Sequence, residues 1–131
     1  MCWLGKLNTK TGELCYVNAG NKNPLIMHDN NFEYLNEKPG LLLAGMENMH
    51  YEKHVIHLKP NDALFLHTDG ITRANDDKNN FYGEKNLKKI LNQNKDDDLS
   101  VIIKSIENDV TEFCGNHELI DDIAMLIIKI K

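Results

Sequence analysis

Two aspartates stand where a divalent cation could be held. Asp69 follows the apolar run Ala63-Leu64-Phe65-Leu66-His67-Thr68 and precedes Gly70. Asp121 and Asp122 stand directly before Ile123-Ala124-Met125-Leu126-Ile127-Ile128. If the two apolar runs are neighbouring antiparallel strands, the end of one lies beside the start of the other, and Asp69 and Asp121 converge at one end of a sheet. Two carboxylates held that close repel, and one tends to keep its proton. A hard divalent ion such as Mg²⁺ or Mn²⁺ removes the repulsion and suits oxygen ligands. The plainer reading of the same residues is an Asp-Gly turn after one strand and a solvated Asp-Asp pair before another.

The elements that would position these residues can be read along the chain. Leu4–Leu7 and Leu14–Val17, separated by the turn cluster Asn8-Thr9-Lys10-Thr11-Gly12, predict a hairpin. Asn18–Asn23 breaks the second strand, and Pro24-Leu25-Ile26-Met27 resumes an extended run in which Pro marks an edge or a strand start. The stretch from His28 to Gly45 is irregular, with a turn signal at Pro39-Gly40 and a short apolar run at Leu41–Leu43. Val55–Leu58 and Ala63–Thr68 predict strands joined by Lys59-Pro60-Asn61-Asp62, the second strand buried on both faces. Leu87, Ile90 and Leu91 mark a helix within Gly83–Asn94. Leu99, Ile102, Ile103, Ile106, Val110 and Phe113 mark a second, with Asp96-Asp97-Asp98 as cap candidates and Gly115 as the terminating glycine. Ile123–Ile128 reads as a strand covered on both faces.

Composition narrows the classes of function. The 131 residues carry 15 Lys+Arg against 20 Asp+Glu, a net charge of −5, which does not suit a nucleic-acid binder. Hydrophobic residues at 41% fit a globular domain, and no apolar run nears the ~18 residues of a membrane helix. The first residues lack a signal peptide's pattern, so a cytoplasmic protein is expected. Three cysteines without Cys-x-x-Cys spacing argue against a disulfide framework or a thiolate zinc site. His54 and His57 would face opposite sides of one strand, which disfavours a histidine metal site, and His67 reads as a packed side chain with one hydrogen bond.

The order of the motifs resembles a known family. Thr11-Gly12-Glu13-Leu14-Cys15-Tyr16-Val17-Asn18-Ala19-Gly20 is similar to the Thr-Gly-x-Leu-x-Tyr-x-Asn-Ala-Gly signature of metal-dependent protein phosphatases. Pro24-Leu25-Ile26 matches the segment after it. Leu58-Lys59-Pro60-Asn61-Asp62-Ala63-Leu64-Phe65-Leu66-His67-Thr68-Asp69-Gly70-Ile71-Thr72 resembles the family's Leu-x-Pro-Gly-Asp … Tyr-Thr-Asp-Gly block. Phe81-Tyr82-Gly83-Glu84 with Leu87 resembles the start of the next helix, and Asp121-Asp122-Ile123-Ala124-Met125-Leu126 the closing strand. The likeness is to the C-terminal half of the domain, in the bacterial branch typified by stage II sporulation protein E and the sigma-factor-regulating phosphatases.

That resemblance implies an α+β fold, part of a four-layer α-β-β-α sandwich with antiparallel sheets. It implies hydrolysis of phosphoserine or phosphothreonine on a regulatory protein of the anti-anti-sigma type, with two Mn²⁺ or Mg²⁺ ions activating water. It assigns Asp69 and Asp121 as metal ligands, Gly70 to the turn that presents Asp69, and Asp122 to an acceptor behind the ligands. Arg73, where the family often has Glu, reverses a charge near the site and reads either as a phosphate contact or as an exposed surface arginine.

The family's Gly-Asp-x-x-x-Asp strand and Asp-x-x-Gly-His-Gly loop, which supply further metal carboxylates, do not occur in these residues. The expectation is therefore a single partial domain over residues 1–131, without the N-terminal half of the fold and with about half of the metal shell, weak or inactive alone. Uncovered apolar faces and strand edges would then drive self-association. Asn21 in place of the family's His, Arg73, and Ala124 in place of Thr support an alternative, a non-catalytic phosphatase-like binding or scaffold module.

Overall fold

The computed structural model describes the chain except for residues 39, 43–47, 49, 118 and 120. Strands β1 (Cys2–Leu7), β2 (Glu13–Ala19) and β5 (His54–His57) form one antiparallel sheet in the order β1-β2-β5. Strands β3 (Leu25–His28), β4 (Asn31–Tyr34), β6 (Ala63–His67) and β7 (Met125–Lys129) form a second, in the order β4-β3-β6-β7, also antiparallel. Helices α1 (Asp69–Thr72), α2 (Gly83–Gln93) and α3 (Leu99–Cys114) follow β6. This is an α+β arrangement of three layers: sheet, sheet and helices. Among the described residues no helix covers the outer face of the first sheet, so three of the four layers of the sandwich are formed by them.

The larger core lies between the second sheet and the helices. Leu25, Phe32 and Phe65 from the sheet meet Leu87 and Leu91 of α2 and Ile102, Ile106 and Val110 of α3, all buried. The four-residue recurrence of the α3 positions places them on one face of the helix. The smaller core lies between the sheets and gathers Leu14, Tyr16, Leu58 and Leu64. β6 is buried on both faces because it separates the two cores, as its unbroken apolar run predicts.

The β1–β2 hairpin forms around the Asn8–Gly12 cluster, where the Asn8 side chain accepts from the Lys10 and Thr11 amides. β3 begins directly after Pro24, and it is an interior strand, not an edge.

Two elements were not legible in the sequence. The start of the stretch read as irregular holds strand β4, joined to β3 by a two-residue turn in which Asp29 and Asn30 take φ of 48° and 61°. Such a turn favours residues that tolerate the left-handed region, and Asp and Asn do so less visibly than Gly. Asp69-Gly70, read as a turn, opens the single-turn helix α1. The Pro39-Gly40 turn and the Leu41–Leu43 run extend outside the described residues.

Asp98 holds the cap position of α3, where its carbonyl accepts from Val101 and Ile102, but its side chain makes no capping bond. Gly115 ends the helix with φ of 59°, as its position in the sequence suggests.

β7 is covered on one face only. Met125 and Ile127 pack toward the helices, whereas Leu126 is 50% exposed on the other face. Leu126 and Ile128 line an apolar cleft of about 270 Å³ between the sheets, opposite Trp3, Leu4 and Leu7 of β1. β1 and β7 are edge strands of their respective sheets, so unpaired backbone groups flank the cleft.

Candidate functional site

β6 and β7 pair antiparallel from Ala63↔Lys129 to His67↔Met125. The chain leaves β6 at the end where it enters β7. Thr68 staples the two segments. Its amide donates to the Ala124 carbonyl at 3.1 Å, and its hydroxyl donates to the Asp122 carbonyl at 2.9 Å and accepts from the Ala124 amide at 3.0 Å. The Asp121–Asp122 backbone is thereby pressed against Gly70. A Cβ on Gly70 would overlap the Asp122 carbonyl oxygen and stand 2.9 Å from that of Asp121. Gly70 is needed for this close approach and not for an unusual φ.

Asp69 opens α1, where its carbonyl accepts from the Arg73 amide at 2.8 Å and from the Thr72 hydroxyl at 3.4 Å. Its Oδ1 is buried with no hydrogen-bond partner. The Asp121 Oδ2 is likewise buried and without a hydrogen bond. Arg73 Nη1 lies 3.4 Å from that oxygen, close enough for charge attraction but without hydrogen-bond alignment. Unsatisfied buried carboxylate oxygens are costly and call for a partner. A divalent cation is a partner that suits such oxygens, so the chemistry of each carboxylate fits a metal ligand. Among the described residues no group of three or more His, Cys, Asp or Glu side chains could hold a metal.

The other residues singled out in the sequence fall around this pair. Asp122 contributes its backbone carbonyl, while the residue itself is exposed. Arg73 is directed at Asp121, with a side chain 55% exposed. His67 is 4% exposed, its Nδ1 3.1 Å from the Thr68 carbonyl and its Nε2 buried without a partner. Burial pushes the imidazole below its ordinary range, so it is neutral at neutral pH.

A polar cleft of about 490 Å³ opens beside Asp69, with Asn21, Lys22, Asn23, Tyr34 and Glu84 among its lining residues. Sequence reasoning missed Thr68 as the staple and most of this lining. The position of Thr68 between β6 and Asp69 was the available signal. Lys22, Tyr34 and Glu84 come from the β2–β3 loop, β4 and α2 and carried none.

One wall of the cleft is anchored by Glu37. Its backbone carbonyl accepts from Asn23 Nδ2 at 2.8 Å, and its side chain accepts from the Tyr16 hydroxyl. Oε2 of Glu37 is buried without a partner. Burial pushes this carboxyl above its ordinary range, against the opposing pull of His54. A carboxyl whose folded pKa is raised contributes most to stability below its unfolded pKa, and that contribution falls as pH rises through the folded value. Glu37→Gln keeps an acceptor for Tyr16 and removes the titration. The stability of the variant relative to the wild type is expected to increase between about pH 4 and pH 7. Urea midpoints at the two pH values check this, and a difference that is constant or falls with pH would contradict it.

The description "Stage II sporulation protein E (SpoIIE)" matches residues 1–131, and the chain belongs to that family. The fold is similar to the phosphatase domain of the cell fate determinant SpoIIE from Bacillus subtilis (Mn presoaked), with a TM-score of 0.75, 16% identity, and coverage of 98% of this chain and 56% of that one. It is also similar to the structure of the RsbU and RsbW domains of Rv1364c from Mycobacterium tuberculosis, with a TM-score of 0.74, 18% identity, and coverage of 97% and 35%. Protein IcfG of Synechocystis sp. is 24% identical over 129 residues, which are 96% of this chain and 20% of IcfG. The chain therefore spans about half of the SpoIIE phosphatase domain and a fifth of IcfG.

Proposed function

We propose that the chain is the C-terminal portion of a metal-dependent serine/threonine protein phosphatase domain, holding Mn²⁺ or Mg²⁺ through Asp69 and Asp121. The observation that carries this reading is that Asp69 Oδ1 and Asp121 Oδ2 are both buried without a hydrogen bond, on segments joined at one end of the second sheet, with only the Arg73 guanidinium near Asp121. When bound, the metal supplies a Lewis acid and lowers the pKa of coordinated water. The chain's own residues do the positioning. Thr68 ties the start of β7 to the end of β6, Gly70 allows the Asp121 backbone to close on α1, and Arg73 balances the charge of Asp121.

The proposed substrate is phosphoserine or phosphothreonine on a cytoplasmic regulatory protein of the anti-anti-sigma type, supported by the family membership. No helix among the described residues is long and apolar enough to cross a membrane. Adding the upstream portion of a SpoIIE-type phosphatase domain is expected to give Mn²⁺-dependent dephosphorylation of a phosphoserine protein. A folded, reassembled domain with no such activity would sink the reading.

One observation favours a non-catalytic binding module: the carboxylate pair lacks a third ligand among the described residues. That reading requires partner binding unchanged by Asp69→Asn and by chelators. Binding that needs metal or Asp69 would exclude it.

The cleft between β1 and β7 supports self-association of the chain through a second copy. Apolar surface meets there two strands that are sheet edges among the described residues. Sedimentation is expected to show a concentration-dependent oligomer, and Leu126→Lys is expected to shift it toward monomer. A wild-type chain that stays monomeric throughout the micromolar range would contradict this.

A further inference from the structure

We propose that Lys22, on the loop between β2 and β3, is the residue that grips the phosphoryl group of the substrate in the cleft beside Asp69. The inference rests on the phosphatase reading and deepens it by naming a substrate-binding side chain. Among the described residues, Lys22 is the only basic side chain lining the cleft. No carboxylate among the described residues is ion-paired with its ammonium. Arg73, the other cation near the carboxylates, is already directed at Asp121.

The loop that carries Lys22 is held in place on both sides. Asn21 donates its amide to Asn18 Oδ1 at 2.8 Å, and Asn18 is itself 5% exposed. Asn23 donates from Nδ2 to the Glu37 carbonyl at 2.8 Å. Gly40 donates its amide to the Asn18 carbonyl at 3.0 Å. Lys22 therefore presents a compact point charge, suited to phosphate, from a fixed backbone. Asp69 and Glu84 line the same cleft. Their negative charge opposes a phosphate dianion, and the Lys22 ammonium is the side-chain cation that offsets it.

The test is a titration of the full chain with inorganic phosphate, read by amide chemical shifts, without metal and with Mg²⁺. Asp69→Asn removes charge from the cleft and the metal ligand together. This variant is expected to bind phosphate without metal about twofold or more tighter than the wild type, with shifts centred on Asn21–Asn23. Lys22→Gln is expected to weaken binding about fivefold or more in both backgrounds, and Lys22→Arg to restore most of it. Phosphate affinity within twofold of the parent in Lys22→Gln, or an absence of shifts at Asn21–Asn23 in both backgrounds, would overturn the proposal. The Asp69→Asn arm needs no metal, so it reads Lys22 even if Mg²⁺ does not bind at Asp69 and the phosphatase reading fails.

Discussion

In a phosphatase domain reassembled from this chain and an upstream portion, Asp69→Asn is expected to lower Mn²⁺-dependent hydrolysis of phosphoserine protein by on the order of a hundredfold or more. The substitution keeps the side chain's size and removes its charge. A carboxylate with a buried, unpartnered oxygen is replaced by an amide, a weaker metal donor. Metal stabilisation of a phosphoryl transition state is worth several kcal/mol, and each ~1.4 kcal/mol lost is tenfold in rate. The neighbouring pair provides an internal control. Asp121→Asn is expected to behave like Asp69→Asn, because its Oδ2 is also buried without a hydrogen bond. Asp122→Asn is expected to stay within about threefold of the parent, because Asp122 is exposed and works through its carbonyl. Equal losses at Asp121 and Asp122 would contradict the assignment of ligands.

Gly70→Ala is expected to disturb the site without touching any charge. The added methyl would overlap the Asp122 carbonyl oxygen and stand 2.8 Å from the Asp122 carbonyl carbon. These are backbone atoms, tied to β6 through Thr68, and they cannot swing aside as a flexible side chain would. Overpacking of this kind costs about 1–3 kcal/mol. The expected result is a lower urea midpoint with an unchanged m-value, together with weaker metal binding as the Asp121 segment moves away from α1. A variant with wild-type stability and wild-type metal affinity would show that the close approach of α1 and the 121–122 segment is unimportant.

Much of the carboxylate site was legible because it depends on strand ends. Two long apolar runs, Ala63–Thr68 and Ile123–Ile128, mark β6 and β7, and their antiparallel pairing puts the segments that carry Asp69 and Asp121 at one end of the sheet. Helices α2 and α3 were legible for the same kind of reason, since their apolar residues recur at helical spacing, over a short span in α2 and along the length of α3. Short elements built on local backbone geometry were not. β4 depends on a turn of two non-glycine residues in the left-handed region, and α1 is a single turn opened by an Asp-Gly pair.

The polar cleft was hidden for a different reason. Lys22, Tyr34 and Glu84 come from three separate places in the chain, and only the packing of β3, β4 and α2 brings them together. The role of Arg73 also depended on structure: the sequence suggested a phosphate contact, and the side chain is directed at Asp121. The cover over Ile123–Ile128 that its unbroken apolarity suggests is present on the helix side and open toward the cleft at Leu126.

The most direct test of the account is equilibrium binding of Mn²⁺ to the full chain, followed by electron paramagnetic resonance, for the wild type, Asp69→Asn, Asp121→Asn and the double variant. If the two carboxylates share one ion, the wild type binds weakly, each single variant loses about tenfold or more in affinity, and the double variant is little worse than either single one. Mn²⁺ affinity unchanged by both single substitutions would mean that Asp69 and Asp121 are not a metal pair.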